Sequence, residues 1–333
     1  MKLVRSLVAT GAVLAIGTAV AACGSSDDSS TFFGFSSPVL AQEGQKFTSQ
    51  GIEAAASSLG WESQVYDANL SADTQVSNIQ TMVDRPVSAL GSWALDEGAI
   101  SGAYSRAESA GIPVIGVNSG GTGVDSTVWT EATTCEAGGV IEKVADLFAT
   151  AKPNGKIAVM SGPPAPSIVT MTDCFTKAAE AKGLKIVVRQ DNTADTSAGA
   201  STLAQDILSA NPDLDGFWAY NDASALGIAS ALSARGLKAA SGTNPDGVVV
   251  TGSNGDESAI AAVRNGTITA TVDTDPVCTG WAIVGAARDA LDGKAKKEYV
   301  VKSDIVSSST IADYVAPADK KCSLDDLPLV AAQ

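Results

Sequence analysis

Short apolar runs alternate with amphipathic helical segments through almost the whole chain, and this rhythm limits the fold more than any other feature. Apolar runs at Thr31–Phe35, Gln64–Tyr66, Val87–Leu95 and Ile112–Val117 read as strands. Between them lie helical segments at Phe47–Leu59, Asp73–Asp84 and Glu97–Ala110. In the first of these, Ile52, Ala55, Ala56 and Leu59 share one face at helical spacing. The pattern resumes with strands at Lys156–Met160, Leu184–Arg189, Phe217–Tyr220, Val248–Thr251, Ile268–Val272 and Val300–Val306. Helices at Thr170–Lys182, Ala198–Ala210, Ala223–Ala234, Asp256–Arg264 and Trp281–Leu291 separate them. Gly60, Gly111, Gly183 and Gly236 stand where helices stop, the position at which a left-handed residue closes a helix. Near-continuous apolar strands alternating with helices predict an α/β protein whose parallel sheets are covered on both faces. The 333 residues exceed what one hydrophobic core usually holds, so two domains are expected.

The first 30 residues do not join this rhythm. Lys2 and Arg5 precede an apolar stretch, Leu7–Ala22, that is too short and too rich in small residues for a membrane span. "VAAC" at Val20–Cys23 resembles the bacterial lipobox, which implies a lipoprotein signal peptide over 1–22 and lipid on Cys23. The other reading is an ordinary signal whose cleavage site happens to abut a cysteine. "GSSDDSS" follows with nothing to bury, so 23–30 is expected to be a flexible leash between a lipid anchor and the folded body.

Charge and composition exclude several functions. Without Lys2 and Arg5 the chain keeps 20 of its 22 basic residues against 37 acidic ones, a net charge of −17. Nucleic acid is therefore not expected as a partner. The chain has no histidine, which removes the commonest general base and most zinc sites. No P-loop, G-x-S-x-G or strand-borne G-x-G-x-x-G is present, and "GGTG" at Gly120–Gly123 reads as a turn. Neither an enzyme, a cofactor nor a metal site is expected. Cys135, Cys174, Cys278 and Cys322 are widely spaced in an exported chain. They predict two disulfides, with three connectivities open and buried thiols as the other reading.

In open parallel sheets, ligands lie beyond the carboxyl ends of the strands. Those ends supply Ser36–Pro38, Trp93, Asn118–Ser119, Gly162–Ser167, Asn221–Asp222, Asn254 and Asp273–Thr274, a set rich in amides and hydroxyls. Asp273 and Asp275 lack the partners acid–base catalysis would need and read as polar cleft or hinge groups. Trp218 is expected in the core, with Tyr220 facing the cleft.

At "FWAYNDASALGIASALSARG" the chain resembles the solute-binding proteins of sugar ABC transporters, the ribose-binding type. "AGIPVIGVNS" and "VVVTGSNGDESAIAAVRNGTITATVDTDP" resemble neighbouring segments of that family, and the likeness runs from about Thr31 to Tyr314. It implies two doubly wound lobes joined by three crossovers, with the ligand between them. Lobe one would take 31–134 and 275–303, lobe two 135–274 and 304–315, leaving 316–333 as a C-terminal tail. Of the family's ligand positions only Asn221 keeps its identity. The Asp-Arg pair becomes Asn118-Ser119, an arginine becomes Met171, and the stacking phenylalanines fall at Val39 and Leu40. With Ser37, Trp93, Asn254, Asp273 and Thr274, the expected site is neutral and hydrogen-bonding. It suits an uncharged sugar or polyol, captured by a monomer and delivered to an ABC permease and its ATPase. The protein is expected on the outer face of the cytoplasmic membrane, or in the periplasm where the cell has an outer membrane. The alternatives are sensing for a membrane receptor, or a cationic or nucleoside-like ligand. On this lobe division, neighbourhood pairs Cys135 with Cys174 and Cys278 with Cys322.

Overall fold

Two six-stranded sheets account for all the named strands among residues 30–330, the part of the chain that the computed structural model describes. The signal segment, Cys23, all of the leash but Ser30, and residues 331–333 lie outside the described residues.

The first sheet is built from β1 (Phe32–Ser37), β2 (Glu62–Asp67), β3 (Ala89–Ser92), β4 (Val114–Val117) and β5 (Ser126–Thr130). Its helices are α1 (Glu43–Ser58), α2 (Ala72–Val83) and α3 (Glu97–Ser109). The chain then crosses to α4 (Val140–Ala151), β6 (Lys156–Ser161), α5 (Pro166–Ala181), β7 (Lys185–Asp191), α6 (Ser197–Ala210) and β8 (Gly216–Ala219). The second sheet continues through α7 (Asp222–Ala234), β9 (Val249–Asn254), α8 (Glu257–Arg264) and β10 (Ala270–Asp273). The chain returns to the first lobe with α9 (Pro276–Leu291) and β11 (Glu298–Val301), then adds β12 (Asp304–Ser307) to the second sheet. The strand orders are β2-β1-β3-β4-β5-β11 and β7-β6-β8-β9-β10-β12. Every pairing is parallel except β10 with β12.

Burial follows position in the sheet. The central strands β3, β4, β8 and β10 are buried at every residue, as helices on both faces require. The edge strands β2 and β7 carry partly and fully exposed residues, which is why Gln64–Tyr66 reads weakly as a strand.

The structure corrects the sequence reading at three places. β5 and α4 fill the interval between Val117 and Lys156, where no element was assigned. The single strand expected at Val300–Val306 is two short strands in different sheets, divided at Lys302-Ser303. β3 ends at Ser92, so Trp93 to Leu95 leave the sheet and become free to face the space between the lobes.

Close helix packing sets the geometry around that space. α1 crosses α9 backbone to backbone. A Cβ added at Gly51 would lie 2.2 Å from the Val277 carbonyl oxygen, and one at Gly280 would lie 2.3 Å from that of Thr48. The glycines let α9 hold α1 tightly, which fixes the direction of its N-terminal turn. Disulfides Cys135–Cys174 and Cys278–Cys322, each with Cα atoms 5.4 Å apart, tie the first crossover to α5 and the C-terminal tail to α9. Leu324, Leu327 and Leu329 of that tail pack against the first lobe's core.

Candidate functional site

The carboxyl ends of both sheets face one cavity, which encloses about 780 Å³ including its open mouth. The first lobe contributes Pro38, Val39, Gln42, Gln45, Trp93 and Thr130 to its wall. The second contributes Ser167, Met171, Asp195, Tyr220, Asn221 and Asn254, and Thr274 lies at a crossover between them. Among the described residues its wall carries amides, hydroxyls and one carboxylate, that of Asp195, and neither lysine nor arginine.

Among the described residues, hydrogen bonds join the lobes around this space. Gln42 Nε2 donates to Asp195 Oδ2, and Trp93 Nε1 donates to Ser167 Oγ at 3.2 Å. The Glu257 amide, at the start of α8, donates to Glu43 Oε1 at 2.8 Å. Beside this last contact, burial first and then the Glu43 charge push the Asp256 carboxyl up to about 7. The lobes thus meet through polar groups rather than through a shared core. Such an interface can open without exposing much apolar surface.

Of the residues expected from the sequence, Trp93, Asn221, Asn254 and Thr274 line the cavity. Trp93 is held from behind by buried Gln75, whose Nε2 donates to the Trp93 carbonyl while its Oε1 accepts from the Leu95 amide, both at 2.8 Å. Asn221 caps α7. Its Oδ1 accepts from the Ser224 amide at 2.9 Å, and its Nδ2 donates to Asp195 Oδ1 at 2.8 Å. Tyr220 also lines the cavity, while Trp218 stacks on Phe175 in the core with ring centroids 4.8 Å apart.

Ser37, Asn118 and Asp273 do not reach the wall, and each has a physical reason. The Ser37 hydroxyl donates to Gln45 Oε1 at 3.1 Å, so Ser37 orients a lining residue instead of lining. Asn118 adopts a left-handed backbone, φ 47°. Its Oδ1 accepts from the Thr130 amide and the Thr133 hydroxyl, both at 2.7 Å, which fixes the crossover behind the cavity. Asp273 turns to the tail: its Oδ2 pairs with Lys320 Nζ at 3.1 Å and its Oδ1 accepts from the Asp275 amide at 2.9 Å.

Sequence reasoning missed Gln42, Gln45 and Asp195. The two glutamines stand at the start of α1, beyond the strand end that was searched. Asp195 lies between β7 and α6, in a strand-end loop where the same rule was not applied. Its backbone is left-handed, φ 52°. Burial pushes its carboxyl up to about 6, against the lowering effect of the bonds from Asn221 and Gln42.

Residues 33–295 match the family model described as the periplasmic binding protein domain. The chain belongs to that family. It is 29% identical over 248 residues to the ribose import binding protein of Bacillus subtilis (strain 168), an alignment spanning 74% of this chain and 76% of that one. Among solved structures it is similar to a periplasmic solute-binding protein of Actinobacillus succinogenes with bound D-allose. That match has a TM-score of 0.76 and 22% identity, covering 85% of this chain and all of the other. A Caulobacter myo-inositol binding protein bound to myo-inositol gives a TM-score of 0.75 at 24% identity, covering 85% of this chain and 95% of that one. At these identities the structural matches speak to the two-lobe fold.

Proposed function

We propose that this chain is an extracytoplasmic solute-binding protein that captures a sugar or polyol between its lobes and releases it to an ABC permease. The observation that carries this reading is the cavity itself. Amides and hydroxyls from both lobes converge on a space beside Trp93, and hydrogen bonds from Gln42 to Asp195 and from Trp93 to Ser167 join the lobes across it. Such groups orient ligand hydroxyls while a ring face packs on the indole. On this reading binding is followed by release, as in a family of binding proteins. The domain boundaries that accompany this reading are 31–134 with 275–303 for lobe one and 135–274 with 304–315 for lobe two. Lipid on Cys23 would hold the monomer at the membrane, and the leash would leave the body free to reach the permease.

A thermal-shift screen of neutral sugars and polyols tests the proposal. A ligand at 100 times its Kd stabilises the folded state by about 2.7 kcal/mol, well within detection. The expected result is a shift with at least one hydroxylated ring and none with its acidic counterpart. No response across aldoses, ketoses and cyclitols would refute it.

A further inference from the structure

The cavity wall holds one formal charge and nothing to balance it. Asp195 Oδ1 accepts from Asn221 and Oδ2 from Gln42, both neutral amides that satisfy hydrogen-bonding capacity without compensating charge. A carboxylate oxygen has two lone-pair directions, so each Asp195 oxygen keeps one acceptor position. Among the described residues, no lysine or arginine lines the wall to occupy it. Lys320, which lies against Asp273 beside the lining residue Thr274, is already bound to Asp273 and Asp275. The aromatic rings of Trp93 and Tyr220 also line the cavity, and ring faces attract cations. The Tyr220 hydroxyl is buried without a hydrogen-bond partner among the described residues. Burying a charge without a counter-ion is costly, and the missing counter-ion can be supplied by the ligand.

We infer that the preferred ligand is a hydroxylated ring bearing a protonated amine, of the amino-sugar or aminocyclitol class, with its ammonium paired to Asp195. This rests on the sugar-or-polyol reading above and narrows it. Gln42 and Asn221 then act as positioning residues, since they hold the carboxylate from opposite lobes. The same geometry disfavours acidic sugars, whose carboxylate would meet Asp195 with no cation between them.

Calorimetry on the full chain with matched pairs tests the inference. The pairs are D-glucose with D-glucosamine and myo-inositol with an amino-inositol, with D-glucuronate as the acidic probe, all at pH 7.5. A charge-assisted hydrogen bond in a partly desolvated site predicts that the amine of at least one pair binds roughly tenfold or more tightly than its hydroxyl twin. D-glucuronate should not bind. Asp195→Asn should weaken binding of both twins and bring their ratio to within about threefold, which a merely structural role for Asp195 would not do. A hydroxyl twin that binds as tightly as the amine overturns the inference and leaves the sugar-or-polyol reading intact. So does an amine preference that survives Asp195→Asn. Binding by no member of any pair also overturns the inference, while the sugar-or-polyol reading then stands or falls on the wider thermal-shift screen.

Discussion

Lys320 is where the tail meets the hinge, and replacing it with methionine should expose how that meeting is held. Its Nζ lies 3.1 Å from both Asp273 Oδ2 and Asp275 Oδ2. The side chains are 18%, 9% and 13% exposed, so solvent screens this cluster weakly. Asp273 ends the last parallel strand of the second sheet, and Asp275 caps the helix that returns to the first lobe, with its Oδ1 accepting from the Cys278 amide at 3.2 Å. Methionine keeps the apolar stem but removes the charge, which leaves two carboxylates facing each other. Removing one partner from a fully buried pair costs about 3–5 kcal/mol. Some solvent reaches this site, so a loss of about 2–4 kcal/mol at pH 7.5 is expected, or a fall in Tm of roughly 3–6 °C for a chain this size. The pH dependence has a definite sign. Burial already raises the Asp273 carboxyl, and the Lys320 charge is the largest influence opposing it. Without Lys320 the folded-state value rises further above that of the unfolded chain. A carboxyl raised in this way costs nothing below the unfolded pKa, and its cost grows as pH climbs toward the folded one. The variant should therefore lose less at pH 5 than at pH 7.5. Urea denaturation of both proteins at the two pH values, with disulfides intact, measures this. A loss below about 0.5 kcal/mol at pH 7.5, or a greater loss at pH 5, would refute the reasoning.

Two further perturbations test other parts of the structure. Asn221→Ala removes the α7 cap and the donor to Asp195 together. It should cost about 1–2 kcal/mol in denaturant stability and roughly tenfold in ligand affinity, and an unchanged Kd in calorimetry would show that Asn221 does not support the ligand. Gly280→Ala would force a Cβ to within 2.3 Å of the Thr48 carbonyl, so α1 and α9 must separate. Thermal unfolding should fall by several degrees, and a Tm equal to that of the parent would contradict the close packing.

How much of this was legible in the sequence depended on what each inference needed. Central strands such as "VIGV" and "GFWA" are apolar because both faces are covered, and that shows in composition alone. β5, "STVWT", is buried almost throughout yet carries two threonines and a serine, so composition hides it. The split of Val300–Val306 between two sheets depends on long-range pairing that no local pattern encodes. The strand-end rule located the site along the chain but could not give side-chain direction. At Ser36–Ser37 and Asn118 it found the segment, while the lining atoms belong to Gln45, Thr130 and Thr133, which those residues orient.

Asn221 shows why residue type underdetermines role. Its oxygen accepts from the helix and its amide donates to Asp195, so half of its polar capacity is used before any ligand arrives. The recognisable asparagine thus acts largely as scaffold, and the group it holds carries the charge that sets the chemistry of the cleft. Asp195 carries no signal beyond its place in the loop after β7, being one of 37 acidic residues in a strongly acidic chain. What distinguishes it is that Gln42 and Asn221, 153 and 26 residues distant, fix it against a wall that lacks any cation. That relation exists only once both lobes are folded and facing each other.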